Sequence, residues 1–284
     1  MLRLRSRKLL WLCLTLAAVG VIGALVAAEL FHRTWRKDAP SYRVSVLLAE
    51  LHKPDLIFIE HRPSSYVAND MAAIGPPAVP ALIRALAGER GYVARLTLVE
   101  ALGKIGDPRA LPALIEVLRS KEHGNIRCRA AGSIGQIGDP SAVPVLIEAL
   151  GDSEMWVRMM AASALGKIGD PSAVPALVSA LADPEADVRR FAADALGDVK
   201  DPKAVPALEA ALKDGNSSVR YFAAQGLGQI GDGSALPALR AALADEHEEV
   251  RSAVAEAIRR IERGDAGKPE EPRPPRDWWS PCAY

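Results

Sequence analysis

The apolar positions of this chain fall into one register that recurs along most of its length. In 142–150, Val143, Leu146, Ile147 and Leu150 stand at i, i+3, i+4 and i+7, which predicts a helix with one apolar face. Further on, Val157, Ala161, Ala164, Leu165 and Ile168 share a face, which predicts a second helix. Asp139 is placed to cap the first helix, and Pro140 suits its first position. Pro144, about one turn in, should tilt the helix start. Ala161 and Ala164 are small enough for paired helices to approach closely. Gly169 should end the second helix in the left-handed conformation that glycine adopts most easily.

The pair is a repeat. The block Asp-Pro-x-Ala-Val/Leu-Pro begins at Asp107, Asp139, Asp170 and Asp201, with Gly for Pro after Asp232, at intervals of 32, 31, 31 and 31 residues. Residues 76–106 form an earlier copy with the same internal pattern. One such hairpin cannot bury both of its faces. Copies stacked on one another can, so a fixed period of this size predicts an all-α solenoid of about six helical hairpins.

Outside the array the pattern changes. Residues 38–75 read as a degenerate first repeat, with one helix through Val44, Leu47, Leu48 and Leu51 and another over 66–74 ending at Gly75. The stretch 55–61 is apolar without a clear period. Residues 1–37 hold a basic tail (Arg3, Arg5, Arg7, Lys8) and then 9–28, twenty residues without a charge. As a helix this run is about 30 Å long, enough to cross a bilayer, and Trp11 and Trp35 bracket it as interfacial anchors do. A membrane anchor is therefore expected. A signal peptide cleaved near Val26 and Ala28 is the alternative. Arg33, Arg36, Lys37 and Arg43 follow the segment, so the charge comparison is nearly even. The short basic tail favours a cytoplasmic N-terminus with the array outside the cytoplasm. Residues 264–284 carry a Pro-rich, charged stretch that should be extended, ending near Trp278, Trp279 and Tyr284. The paired Trp suggest a docking peptide; an unselected terminus, or packing on the end of the array, is the plainer reading.

At this point the chain resembles the short bacterial HEAT repeats of the phycobilisome-lyase-like type. The residues that carry the resemblance are Asp-Pro-x-Ala-Val-Pro-x-Leu, an Asp six residues before an Arg, and Ala-Leu-Gly-x-Ile-Gly. It covers about 76–263 and implies a right-handed α-α superhelix whose second helices line the concave face. On function it is nearly silent, because scaffolds, adaptors and a few enzymes share the fold. Three departures stand out. The Asp107 copy has one extra residue and Ser120 or Lys121 where Asp is expected, so its turn should be looser. Lys200 replaces a terminal Gly. Arg259, Arg260 and Glu262 read as a polar C-terminal cap.

Composition narrows the function. The chain has 284 residues, 49% of them apolar and 25% charged, with 35 basic against 35 acidic residues. Such a composition argues against wholesale disorder. Residues 76–263 hold 22 Lys and Arg against 25 Asp and Glu, without a basic stripe, so nucleic acid is not an expected partner. Cys13, Cys128 and Cys282 make an odd, widely spaced set, unlike a disulfide framework. Cys128 is expected as a small, partly buried filler rather than a reactive thiol.

No catalytic, cofactor or metal site is expected. HExxH, GxSxG and a phosphate loop are absent from the sequence, and the Gly-x-Ile-Gly strings read as helix ends. Iron-binding HEAT-like hydroxylases carry His-Glu on the second helix, where this chain has Met159-Met160, Arg190-Phe191 and Tyr221-Phe222. His247-Glu248, the one His-Glu pair, falls in a turn. The pairs Asp152/Arg158, Asp183/Arg189, Asp214/Arg220 and Asp245/Arg251 read as a structural ladder, each Arg bonding an Asp of its own or a neighbouring turn. Lyase activity on a chromophore, or another maturation role, is the enzymatic alternative that the resemblance offers. Binding of another protein is the favoured reading. The candidate contacts are Met159, Met160, Arg190, Phe191, Tyr221, Phe222 and Gln225, because exposed aromatics, Met and Arg supply interface hot spots. Met160, Phe191 and Phe222 flank the core face, so they also fit a plain role as wedges between repeats.

Overall fold

The computed structural model describes residues 39–51 and 64–265, and every regular element among them is helical. The anchor at 9–28, the stretch 55–61 and the tail from 266 lie outside the described residues. By compactness the chain divides into two units, 1–56 and 57–284. The first contributes α1 (Pro40–Leu51), on which Val44 is buried. The second begins with α2 (Ser64–Ala72). The two helices expected to pair as a degenerate first repeat thus belong to different units.

Six hairpins follow α2: α3 (Val79–Gly88) with α4 (Tyr92–Ile105), α5 (Leu111–Arg119) with α6 (Gly124–Ile137), and α7 (Val143–Ala149) with α8 (Met155–Ile168). They continue as α9 (Val174–Ala180) with α10 (Ala186–Val199), α11 (Val205–Ala211) with α12 (Ser217–Ile230), and α13 (Leu236–Ala242) with α14 (Glu248–Arg263). Leu146, Leu165, Leu177, Leu196, Leu208 and Leu227, one from each helix in turn, are all fully buried in the shared core. Each second helix packs on the second helices before and after it, whereas successive first helices scarcely meet. The stack is therefore tightest along its second helices.

Small residues make that seam possible. A Cβ built on Gly135 would stand 2.7 Å from the Cβ of Ala164, and one on Gly166 would stand 2.8 Å from the Cα of Ala195. No side chain tolerates such distances, so backbone meets backbone there. The first Gly of each Ala-Leu-Gly-x-Ile-Gly string thus seats the next repeat. The second Gly ends the helix: Gly169 has φ 71, and its N–H reaches back to the Leu165 carbonyl. Lys200 takes that place in the fourth hairpin and is held at φ 57, the left-handed region that disfavours a Cβ.

The start of each first helix differs from expectation. Asp139 caps a 3₁₀ turn, Pro140–Ala142, by accepting the Ser141 amide at 2.9 Å, and α7 begins only at Val143. The cause is Pro144, which has no N–H to donate and whose ring crowds the turn before it. The turn tightens accordingly, with Ala142 N–H donating to the Asp139 carbonyl at 3.1 Å. Second helices begin about two residues before the expected apolar-Arg pair, as at Met155 in α8.

Candidate functional site

The side chains that recur at one position of every second helix form the ladder. Arg158 Nε and Nη2 donate to both carboxylate oxygens of Asp183, at 2.8 and 3.0 Å. Its Nη1 donates to the Asp152 carbonyl at 3.0 Å. Arg189 repeats this with Asp214 (2.7 and 2.9 Å) and the Asp183 carbonyl. Arg220 does so with Asp245 and the Asp214 carbonyl. Each guanidinium therefore holds the backbone of its own turn and the carboxylate of the following repeat, 25 residues on. The carboxylate is itself fixed by an amide two residues later, as where Glu185 N–H donates to Asp183 at 2.9 Å. Bidentate charge-assisted pairs of this kind set register as well as energy.

Of the two turns open to each Arg, the carboxylate comes from the neighbouring one, while the Asp of its own turn is met through its carbonyl. Asp152 meets Arg127, and Asp245 meets Arg220. Arg251 contacts only backbone of its own turn, the carbonyls of Asp245 and Glu246 at 2.7 and 3.0 Å, because no seventh hairpin follows it among the described residues. The ladder also extends further towards the N-terminus than expected. Arg95 donates through Nε to Glu122 at 2.8 Å, and to the carbonyls of Leu86 and Glu89. The inserted residue of that copy shifts the acid to Glu122, so neither Ser120 nor Lys121 fills the role. Ala94-Arg95 was the sequence signal for this rung, hidden by its Ala in place of Val or Ile and by the shifted acid.

Electrostatics follow the geometry. The Arg189 hydrogen bonds hold the Asp214 carboxyl below its ordinary value, and Arg220 does the same for Asp245. For Asp152 and Asp183, burial pushes upward but is outweighed by the arginine and amide hydrogen bonds, so both also lie below the ordinary value.

The outward face of the second helices carries the remaining candidates. Arg190 lies on the faces of two rings, 4.4 Å from the Phe191 centroid and 5.6 Å from that of Phe222 on the next helix. Tyr221 and Phe222 meet edge to face at 5.2 Å, and Gln225 Nε2 donates to the Tyr221 hydroxyl at 2.9 Å. Gln225 Oε1 is buried without a hydrogen-bond partner. Arg190, Phe191, Tyr221, Phe222, Gln225 and Met160 are all partly exposed. Met159 is not: it is only 2% exposed, which removes it as a bare contact residue. Cys128, at the same position one repeat earlier, is fully buried and disulfide-bonded, which corrects its reading as a simple filler.

Other features are accounted for locally. Among the described residues, no group of three or more His, Cys, Asp or Glu is arranged to hold a metal ion. His247 precedes α14, with its Nδ1 3.2 Å from Arg220 Nη2. An open hollow of about 470 Å³ lies beside Arg119, Arg127, Glu148 and Asp152, but these pair with one another as Arg119–Glu148 and Arg127–Asp152. No single described helix is long and apolar enough to cross a membrane.

Comparison with known proteins bears on the array. The family model for HEAT repeats matches residues 64–127, 111–191 and 174–259. The Escherichia coli protein YibA is similar in structure, with 19% identity over 82% of this chain and 97% of its own and a TM-score of 0.52. So is an engineered protein, with 22% identity over 77% of this chain and 68% of its own, also at 0.52. The complex of CpcE and CpcF of phycocyanin lyase from Nostoc is 26% identical over 80% of this chain and 90% of its own, at 0.47. No curated protein matches the chain.

Proposed function

The chain belongs to the HEAT-repeat family, and on that premise we propose that it is a membrane-tethered scaffold that binds another protein and catalyses no reaction. The partner face is the outward side of α8, α10 and α12, where Met160, Arg190, Phe191, Tyr221, Phe222 and Gln225 lie. The observation that carries this reading is the Arg190–Phe191–Phe222–Tyr221 cluster, which spans two repeats while remaining partly exposed. Isolated exposed aromatics need no explanation, but rigid aromatic and Arg anchors grouped together are how protein interfaces gain affinity.

In the proposed arrangement residues 9–28 hold the protein in the membrane, with the array on the extracytoplasmic side and coiled as a right-handed superhelix. Crosslinking in membranes followed by mass spectrometry identifies the partner. Arg190→Glu combined with Tyr221→Ala should then abolish its capture while leaving the melting temperature nearly unchanged. Full retention of the partner by this variant overturns the proposed face. N-terminal sequencing of the membrane-extracted protein tests the anchor, since a mature chain beginning after residue 28 would show cleavage. A pigment absorbance that co-purifies with the chain would favour an accessory lyase or maturation factor instead.

A further inference from the structure

Arg251 ends the ladder with half of its guanidinium unused. Its Nη1 donates to the carbonyls of Asp245 and Glu246 at 2.7 and 3.0 Å. Inside the stack, Arg158 and Arg189 place Nη1 on the matching carbonyls of their own turns, Asp152 with Ser153 and Asp183 with Pro184. In those rungs Nε and Nη2 are left to face the following repeat, where they grip both oxygens of an aspartate. Arg251 is anchored in the same way, so its Nε and Nη2 face the same direction, and among the described residues no acceptor meets them. A planar fork already held in place loses less freedom on taking a carboxylate than a loose side chain would.

The last hairpin is also uncovered beside this fork. Leu243 is 43% exposed, whereas its counterpart in the preceding hairpin, Leu212, is 6% exposed. Ile258 is partly exposed, whereas Leu227 at the same place in α12 is fully buried. The missing neighbour is not another hairpin of the array. Gly166 and Gly228 admit the following helix so closely that a Cβ there would stand 2.8 and 2.9 Å from the Cα atoms of Ala195 and Ala257. Arg259 takes that place in α14, exposed and paired with Glu256 of its own helix at 2.5 Å. A side chain of that length keeps a helix from seating at such a spacing. A second copy of the chain stacked in register is excluded for the same reason.

We propose that the Arg251 fork is a carboxylate-binding site for a partner protein, which presents an aspartate at the start of a helix and lays an apolar side chain over Leu243 and Ile258. Charge complementarity selects the carboxylate, since the open side of the fork is cationic and fits a planar acid through two parallel hydrogen bonds. The array supplies the pattern for the rest of the segment. A carboxylate gripped by such a fork also accepts the amide two residues on, as where Asn216 N–H donates to Asp214 at 2.8 Å. Acidic residues in the turn before α14 do not bar a further acid, because Arg189 holds Asp214 with Glu185 close by. The site lies at the end of the stack and does not depend on the outward face assigned above.

The probe is a synthetic peptide with the sequence of residues 205–224, whose Asp214 fills the Arg189 fork inside the stack. Its binding to the full-length chain in detergent is followed by fluorescence anisotropy. Saturable binding is expected, weakened about tenfold or more by Asp214→Asn in the peptide, and equally by Arg251→Gln in the protein. Leu243→Ser should weaken it several-fold. Arg119→Gln, which alters an exposed arginine paired with Glu148 elsewhere on the array, should leave it unchanged. The Asp214→Asn peptide meets the unaltered protein, so its result stands whether or not the Arg251→Gln chain folds. Absence of saturable binding, equal affinity for the two peptides, or a loss with Arg119→Gln as large as with Arg251→Gln overturns the site. Undiminished binding by Leu243→Ser overturns its apolar half.

Discussion

Two sides of the same second helices obey different rules. Along the edge at Arg158, Arg189 and Arg220, every repeat has the same residue, the same partners and nearly the same distances. On the outward face the equivalent positions hold Cys128, Met159, Arg190 and Tyr221, which share neither size nor charge. The edge must be periodic because each guanidinium spans the joint to the next repeat, and a joint that recurs demands an identical part. The outward face meets no neighbouring repeat in that periodic way, so it is free to vary and to specialise.

Removing a rung should break the contrast most strongly. Arg189→Ala leaves the Asp214 carboxylate and the Asp183 carbonyl without their arginine donor, and should cost about 1–3 kcal/mol in chemical denaturation. Arg251→Ala removes bonds to carbonyls only and should cost less than half as much. Equal losses would mean that the inter-repeat carboxylate adds nothing.

Acid should attack the same edge. Asp183, Asp214 and Asp245 have carboxyls lowered in the folded state, so the stability they confer is complete above their unfolded value and is lost as pH falls through the folded one. Melting temperature should therefore decline below about pH 4, where free aspartate begins to take up protons. In Arg189→Ala that decline should be shallower, because one lowered carboxyl has lost its cause.

A smaller effect sharpens the comparison from the helix end. Lys200→Gly relieves a left-handed backbone at a position where the other copies already have glycine, and should stabilise by about 0.5–1 kcal/mol. The smallest effect belongs to the outward face. Arg190→Glu with Tyr221→Ala should alter stability by no more than about 0.5 kcal/mol, since both side chains are partly exposed.

Much of this was legible in the chain. The period, the two helices per copy and the glycine stops follow from apolar spacing and from residues with restricted backbone preferences. What escaped was contact between copies. Spacing left each Arg a choice between an Asp of its own turn and one of a neighbouring turn, and only stacking brings the Asp214 carboxylate to Arg189. Glu122 was hidden by a one-residue insertion that moves the acid without removing it. Met159 looked outward by helical phase, yet it is only 2% exposed, because phase alone does not say what packs over a face. The anchor rests on residues 9–28, beyond the described part of the chain.

The central claim is that repeats are joined by an arginine reaching forward to the next aspartate, and a double-mutant cycle measures this joint directly. Arg189→Ala and Asp214→Ala, alone and together, should show a coupling of about 1 kcal/mol or more, while Arg189→Ala with Asp183→Ala should show clearly less. A coupling at Asp183 equal to or greater than that at Asp214 would contradict the forward joint.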